Sequence, residues 1–282
     1  MDATHGSTAF VTGGTSGIGE AIATGLARHG VEVLLLARDS ARADAAVARI
    51  RGKVPGARLE VVPGDLASLA SVRSAVQQVK GNHPSLNLLV LAAGVFHRQR
   101  TETVDGVEST FQVNYLSHFL IANLLAEPLK RGAPSRTVIV ASKYGNARIP
   151  FDDLMVKRRK FTVMNSVPQT KLAEILLMQE LAERWAPAGG VVNALHPGLV
   201  AHTHLLTEVG GSWRFMTNLF GTTPEKGADT AVWLATAPET ASVTGKFWAK
   251  RKPLKLSGQA ADPGARQQLW TESLRLVGPV NE

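Results

Sequence analysis

The spacing of apolar runs constrains this chain more than any other feature. Continuous runs rich in β-branched residues occur at 8–11, 31–36, 59–62, 86–92, 137–141 and 191–195, with a weaker one near 243–248. Longer stretches with helical spacing lie between them. A strand that is apolar at every position is buried on both faces, and strands that alternate with helices build a parallel sheet covered on both sides. The predicted fold class is therefore α/β: a single Rossmann-type, doubly wound parallel sheet of about seven strands with helices on both faces. No internal repeat and no Pro/Gly/Ser-rich linker divides residues 1–282, so one domain is expected.

Composition narrows the partners. Hydrophobic residues make up 44% of the chain and charged residues 19%, which is ordinary for a chain with a sizeable core. The chain has no cysteine, so thiolate chemistry and disulfides are excluded. The net charge of +8 suits anionic ligands. The two basic runs, Lys157-Arg158-Arg159-Lys160 and Lys250-Arg251-Lys252, read as solvated faces with no nucleic-acid motif beside them. No apolar run approaches the roughly 18 residues of a membrane span, and residues 1–6 carry no leader-like pattern. The cytoplasm is the expected compartment, a small molecule the expected partner, and a homo-oligomer is compatible with the sequence.

The first run leads into Thr12-Gly13-Gly14-Thr15-Ser16-Gly17-Ile18-Gly19. Gly13 permits a tight turn off the strand, Gly17 lets backbone approach a pyrophosphate, and Gly19 lets the next helix sit close to the sheet. Thr15, Ser16 and Ile18 complete a loop whose free N–H groups open a helix and attract phosphate. The second strand ends Leu36-Ala37-Arg38-Asp39. A carboxylate at position 37 would grip the 2′-hydroxyl of NAD; here Ala37 is followed by Arg38, whose guanidinium suits a 2′-phosphate. NADP(H) is the predicted cofactor, with an Asp39–Arg38 pair as the structural alternative.

These residues, with others downstream, resemble the short-chain dehydrogenase/reductases, and most closely their retinol-dehydrogenase-like branch. The T-G-x-x-x-G-x-G loop is intact. Asp65 and Leu66 are similar to the family's D-L pair, where the aspartate holds the adenine amine. Leu91-Ala92-Ala93-Gly94 resembles its N-N-A-G turn, which places Ala93 and Gly94 against the cofactor. Asn114 matches the asparagine that kinks the fourth helix and orders a water. Ser142 matches the catalytic serine, Lys171 the catalytic lysine, and Pro197-Gly198 the P-G turn after the sixth strand. Thr203 matches a nicotinamide contact one residue late, with His202 as the other occupant of that place. The branch is suggested by Ser117-His118-Phe119-Leu120, by Ile149-Pro150-Phe151-Asp152-Asp153-Leu154, and by the tail Leu269-Trp270-Thr271-Glu272-Ser273.

One departure stands out against that resemblance. In Ser166-Val167-Pro168-Gln169-Thr170-Lys171 the slot of the family's acid–base tyrosine holds Val167, which has no titratable proton. The chain has two tyrosines, Tyr115 and Tyr144. Tyr144 follows Ser142 by two residues, which on extended backbone shares its face. It is the first expected substitute donor, with a pocket-wall aromatic as the alternative. His202 and His204 come next; their H-x-H spacing lacks a third ligand, so no metal is predicted. His118 and His196 read as packed structural side chains. Val167, His202, His204 and Trp213 are expected to line the substrate site. The apolar content of 199–223 suggests a flap over a large, apolar substrate, or core packing. The sequence thus supports an NADP(H)-dependent carbonyl reductase or alcohol dehydrogenase with a non-standard donor. A non-redox cyclase, isomerase or dehydratase, and a non-catalytic NADP-binding protein, remain open.

Overall fold

A computed structural model describes residues 4–200 and 221–280. His202, Thr203, His204 and Trp213, expected above to line the site, lie outside the described residues. The described strands are β1 (Thr8–Thr12), β2 (Glu32–Ala37), β3 (Leu59–Pro63), β4 (Leu88–Leu91), β5 (Arg136–Val140), β6 (Val191–His196), β7 (Phe247–Ala249) and β8 (Lys252–Leu254). They form one eight-stranded sheet in the order β3-β2-β1-β4-β5-β6-β7-β8, parallel except for the last pair.

The apolar runs are buried on both sides because successive side chains in a strand point to opposite faces. Phe10, Leu34 and Leu36 face one core. Ala9, Val11, Val33 and Leu35 face the other. The first core is covered by α3 (Leu69–Asn82), α5 (Ser117–Leu124), α7 (Val163–Trp185) and α9 (Pro263–Val277). The second is covered by α1 (Gly17–Arg28), α2 (Ser40–Lys53) and α8 (Pro224–Thr236). No helix among the described residues is long and apolar enough to cross a membrane.

The eighth strand was not expected. It pairs with β7 through a hairpin turn in which Lys250 and Arg251 both take positive φ, 50° and 58°. The second basic run is therefore this turn and the start of β8. Arg251 fixes it with a two-pronged ion pair to Asp229 on α8, its Nε 2.8 Å from Oδ2.

Strand order reverses on either side of β1. From β1 the chain moves outward through β2 and β3, then returns to place β4 on the other side. In such a sheet ligands bind outside the carboxyl ends of the strands, at this switch point. The loops after β1, β4, β5 and β6 carry several of the sequence-predicted site residues, among them Gly13, Gly94, Ser142 and Pro197.

Candidate active site

The loop after β1 is built by close backbone approach. Gly13 has a φ of +71°, and a Cβ there would lie 2.7 Å from the Cα of Ala93. A Cβ on Gly19 would lie 2.1 Å from the carbonyl oxygen of Gly13. Both positions therefore exclude any side chain, and they set α1 against the loop. Ser16 caps α1 without a side-chain bond, so its first N–H groups are left to a ligand.

Thr12 locks this loop to the β4 turn. Its Oγ1 accepts from the amides of Ala92 (3.0 Å) and Ala93 (3.2 Å). That leaves the threonine proton for His118 Nε2, 3.0 Å away. Burial, with the charge of Lys171, pushes the His118 pKa down to about 3, so it is a neutral latch. The structural reading of His118 stands.

On the adenosine side, Arg38 is exposed and lies 4.0 Å from Asp65. Asp39 does not take Arg38. It caps α2, accepting from the amide of Arg42 at 3.0 Å. Asp65 Oδ1 accepts from the amide of Ala67, and the Leu66 carbonyl accepts from Ser117 Oγ at 2.6 Å. An ion pair as long and exposed as Arg38–Asp65 contributes little, so the guanidinium fork is available to an anion.

Asn114 lies within a π-helical turn, Gln112–Leu116, between α4 (Ser109–Phe111) and α5. This is the kink the resemblance implied. The Asn114 amide clasps Val95, accepting from its N–H at 2.7 Å and donating to its carbonyl at 3.1 Å. It also donates to Thr170 Oγ1 at 3.3 Å, which joins the β4 turn to α7. A Cβ on Gly94 would stand 3.6 Å from Asn114 Oδ1 and 4.0 Å from Lys171 Nζ. The glycine leaves open a space that both polar groups border. A glycine loop at a helix start, an available arginine at β2 and this cradle beside Lys171 fit a dinucleotide cofactor.

Lys171 is buried on α7 and donates to the Val140 carbonyl at 3.3 Å and to Glu174 Oε1 at 3.0 Å. Glu174 is fully buried; its second oxygen lies 2.9 Å from Nζ without hydrogen-bond geometry. Burial pushes its carboxyl up from 4.5 to about 7, against the pull of Lys171. Sequence reasoning missed Glu174. The available signal was its i+3 spacing from Lys171 on one helical face. A carboxyl raised in the folded state binds protons more readily there than when unfolded. Its contribution to stability is therefore fully present below pH 4.5 and is lost as pH rises to about 7. Glu174→Gln should flatten this dependence. Between pH 5 and 8 the unsubstituted protein should lose on the order of 1–3 kcal/mol more than the variant, as read by urea unfolding. Parallel curves would show that the pair carries no such proton linkage.

Val167 is half-buried on α7, one turn before Lys171 and on the same face. Its carbonyl accepts from Thr170 Oγ1 at 2.9 Å. Tyr115 is sealed in the core, bonded to Ser273 at 2.7 Å, and burial raises its pKa. Tyr144 packs beside Phe247, with its hydroxyl on the main chain of Ser257; it donates to that carbonyl and accepts from that amide, each at 3.2 Å. Ser142 Oγ, by contrast, lies 3.2 Å from Nδ1 of His196. Val140, the last residue of β5, pairs with Leu195 of β6; His196 stands one residue past that pair and Ser142 two. Burial, then the charge of Lys143, lowers the His196 pKa. The sequence reading of His196 as a packed strand end missed this contact.

Pro197 and Gly198 follow β6, and Gly198 has a φ of +85°. Val200 and Thr222 then form a β-bridge, reinforced by the Thr222 amide donating to the Leu199 carbonyl at 2.8 Å.

Comparison with known proteins points to one family. The family model described as short chain dehydrogenase matches residues 7–154. Retinol dehydrogenase 14 of Mus musculus is 38% identical over 290 residues, covering 97% of this chain and 86% of the relative. A putative daunorubicin C-13 ketoreductase of a Streptomyces species is 37% identical, covering 97% and 93%. Among solved structures, a putative uncharacterized protein from Mycobacterium Paratuberculosis superposes with a TM-score of 0.78 at 28% identity, covering 98% and 95%. A putative NAD(P) dependent gluconate 5-dehydrogenase from Beutenbergia cavernae, solved with bound NADP, gives 0.69 at 27% identity, covering 87% and 95%.

Proposed function

This chain belongs to the short-chain dehydrogenase family, and on that premise we propose that it is an NADP(H)-dependent oxidoreductase with a proton donor other than the family's tyrosine. It reduces a carbonyl, or oxidises the matching alcohol, of a bulky apolar substrate. The observation that carries this reading is the cradle at the carboxyl end of the sheet, where Gly94 opens a space bordered by Asn114 and Lys171. Lys171 and Asn114 border the nicotinamide ribose there, and Ser142, two residues past β5, holds the substrate oxygen. Val167 fills the slot of the family's acid, one turn before Lys171. Bound, the reduced nicotinamide supplies the hydride; the protein supplies position, charge and the proton. The bulky apolar substrate is supported by the names of the retinol dehydrogenase and daunorubicin ketoreductase relatives. Loss of reduced-nicotinamide absorbance with NADPH and a panel of bulky ketones is the test. Binding without turnover on any ketone would remove the redox reading. No nucleotide binding at millimolar concentration would remove the enzyme reading altogether.

Cofactor choice rests on Arg38. A charge-assisted contact contributes about 1.5–3 kcal/mol, which is roughly a factor of ten to a hundred or more in affinity. NADPH should therefore bind that much more tightly than NADH, and Arg38→Ala should shrink the ratio toward one. Equal dissociation constants for the two nucleotides in the unsubstituted protein would refute the assignment.

A further inference from the structure

We infer that Ser142 and His196 form a proton-relay pair, in which Ser142 gives its hydroxyl proton to the carbonyl oxygen under reduction and His196 replaces it. The inference rests on the reductase reading above and names the proton source which that reading leaves open.

Geometry carries it. Ser142 Oγ, two residues past the end of β5, and His196 Nδ1, at the end of the adjacent parallel strand β6, are 3.2 Å apart. Four other titratable side chains near this end of the sheet are engaged elsewhere. His118 is held neutral on Thr12. Lys171 and Glu174 are paired with each other. Tyr144 donates its proton to the Ser257 carbonyl, a bond that must break before that proton can travel. His196 alone among these already touches the side chain that the family resemblance places on the substrate oxygen.

The step balances. Bound, the reduced nicotinamide would supply a hydride to the carbonyl carbon, and the carbonyl π electrons would move onto oxygen. That oxygen takes the proton of Ser142 Oγ as the O–H bond of the serine breaks. Ser142 Oγ takes the Nδ1 proton of the His196 imidazolium, which becomes neutral imidazole with its remaining proton on Nε2. Water reprotonates the ring. His196 touches no reacting atom; it acts through Ser142.

The pH signature follows from the surroundings of the ring. The charged group that acts on His196 is a cation, Lys143 beyond β5. Burial and this charge hold the imidazolium form to pH values below the ordinary 6.5. Reduction should therefore speed up as pH falls through the His196 titration, and the reverse oxidation should slow.

The test has two readouts. In the free protein, the His196 imidazole resonance is identified by its loss in His196→Asn and titrated by NMR. Ser142→Ala should move that midpoint and leave the other histidines in place; an unmoved midpoint overturns the pair. With NADPH and a ketone turned over by the unsubstituted protein, His196→Asn should lower kcat by about 10²–10⁴-fold. It should also erase the acid-favoured limb and leave the NADPH Kd unchanged. A His196→Asn variant that keeps both kcat and the limb overturns the relay while the reductase reading survives. So does Tyr144→Phe, if it causes the loss and His196→Asn does not. A protein that binds NADPH but turns over no ketone fails the reductase reading itself, and the relay with it.

Discussion

Gly19→Ala should abolish NADP(H) binding and weaken the fold. The added methyl would meet the Gly13 carbonyl oxygen at 2.1 Å and its carbon at 2.6 Å. Both are backbone atoms, so no side chain can rotate out of the way. Either α1 moves off the sheet or the Gly13 turn opens. Each response displaces the N–H groups that would meet the pyrophosphate. Overpacking of this kind costs about 1–3 kcal/mol or more in stability. The displaced loop should raise the NADPH Kd by 100-fold or more, about 2.7 kcal/mol. Fluorescence titration and a thermal melt read the two effects. Gly52→Ala is the control: this α2 glycine has nothing within 4 Å of a Cβ. Alanine there should stabilise by about 0.5–1 kcal/mol through helix propensity. Gly19→Ala binding NADPH within about threefold of the unsubstituted protein would show that the close approach is not a requirement of the site.

The sheet was legible because a two-faced buried strand leaves an unbroken apolar run. Six of the runs became β1 to β6 with ends shifted by a residue or two, and the weaker run near 243–248 became β7. β8 was not legible, for a reason in its residues. Lys252, Pro253 and Leu254 form no apolar run, and the preceding turn places Lys250 and Arg251 at positive φ. Sequence reading looks for Asn-Gly at such a turn. Nothing in Lys-Arg announces it; the ion pair from Arg251 to Asp229 that holds it is made to a residue on another element.

The site divides the same way. Residues such as Gly13, Gly19 and Asn114 belong to local patterns that a sequence carries by itself. The contacts that give the site its chemistry are made between elements. Tyr144 shows the difference. A two-residue offset from Ser142 places it on the same face only while the backbone stays extended. β5 ends at Val140, and the structure turns the hydroxyl to Ser257, 113 residues away in sequence. His196 and Ser142 are 54 residues apart in sequence and meet just beyond the last register pair of β5 and β6, Val140 with Leu195. Register between parallel strands is set by the whole sheet, so no spacing rule points to that pair.

Val167→Tyr should restore a direct donor and raise carbonyl reduction. Position 167 lies one turn before Lys171 on the same helical face and is half-buried, so a phenol there reaches the Lys171 side with part of its bulk in solvent. A nearby lysine charge favours phenolate and brings the hydroxyl toward acid–base work. General acid catalysis is worth about 10²–10⁴-fold, and the comparison that isolates it is Val167→Tyr against Val167→Phe. The two rings fill the same volume, so their shared effect is packing and their ratio is the proton. The same substitution probes the relay. With a tyrosine delivering the proton directly, His196 is no longer needed, and Val167→Tyr combined with His196→Asn should keep most of the turnover of Val167→Tyr alone. Such non-additivity is what a double-mutant cycle measures for groups in one network. A Val167→Tyr protein that folds, binds NADPH normally and reduces ketones no faster than Val167→Phe would mean that residue 167 does not occupy the acid's place.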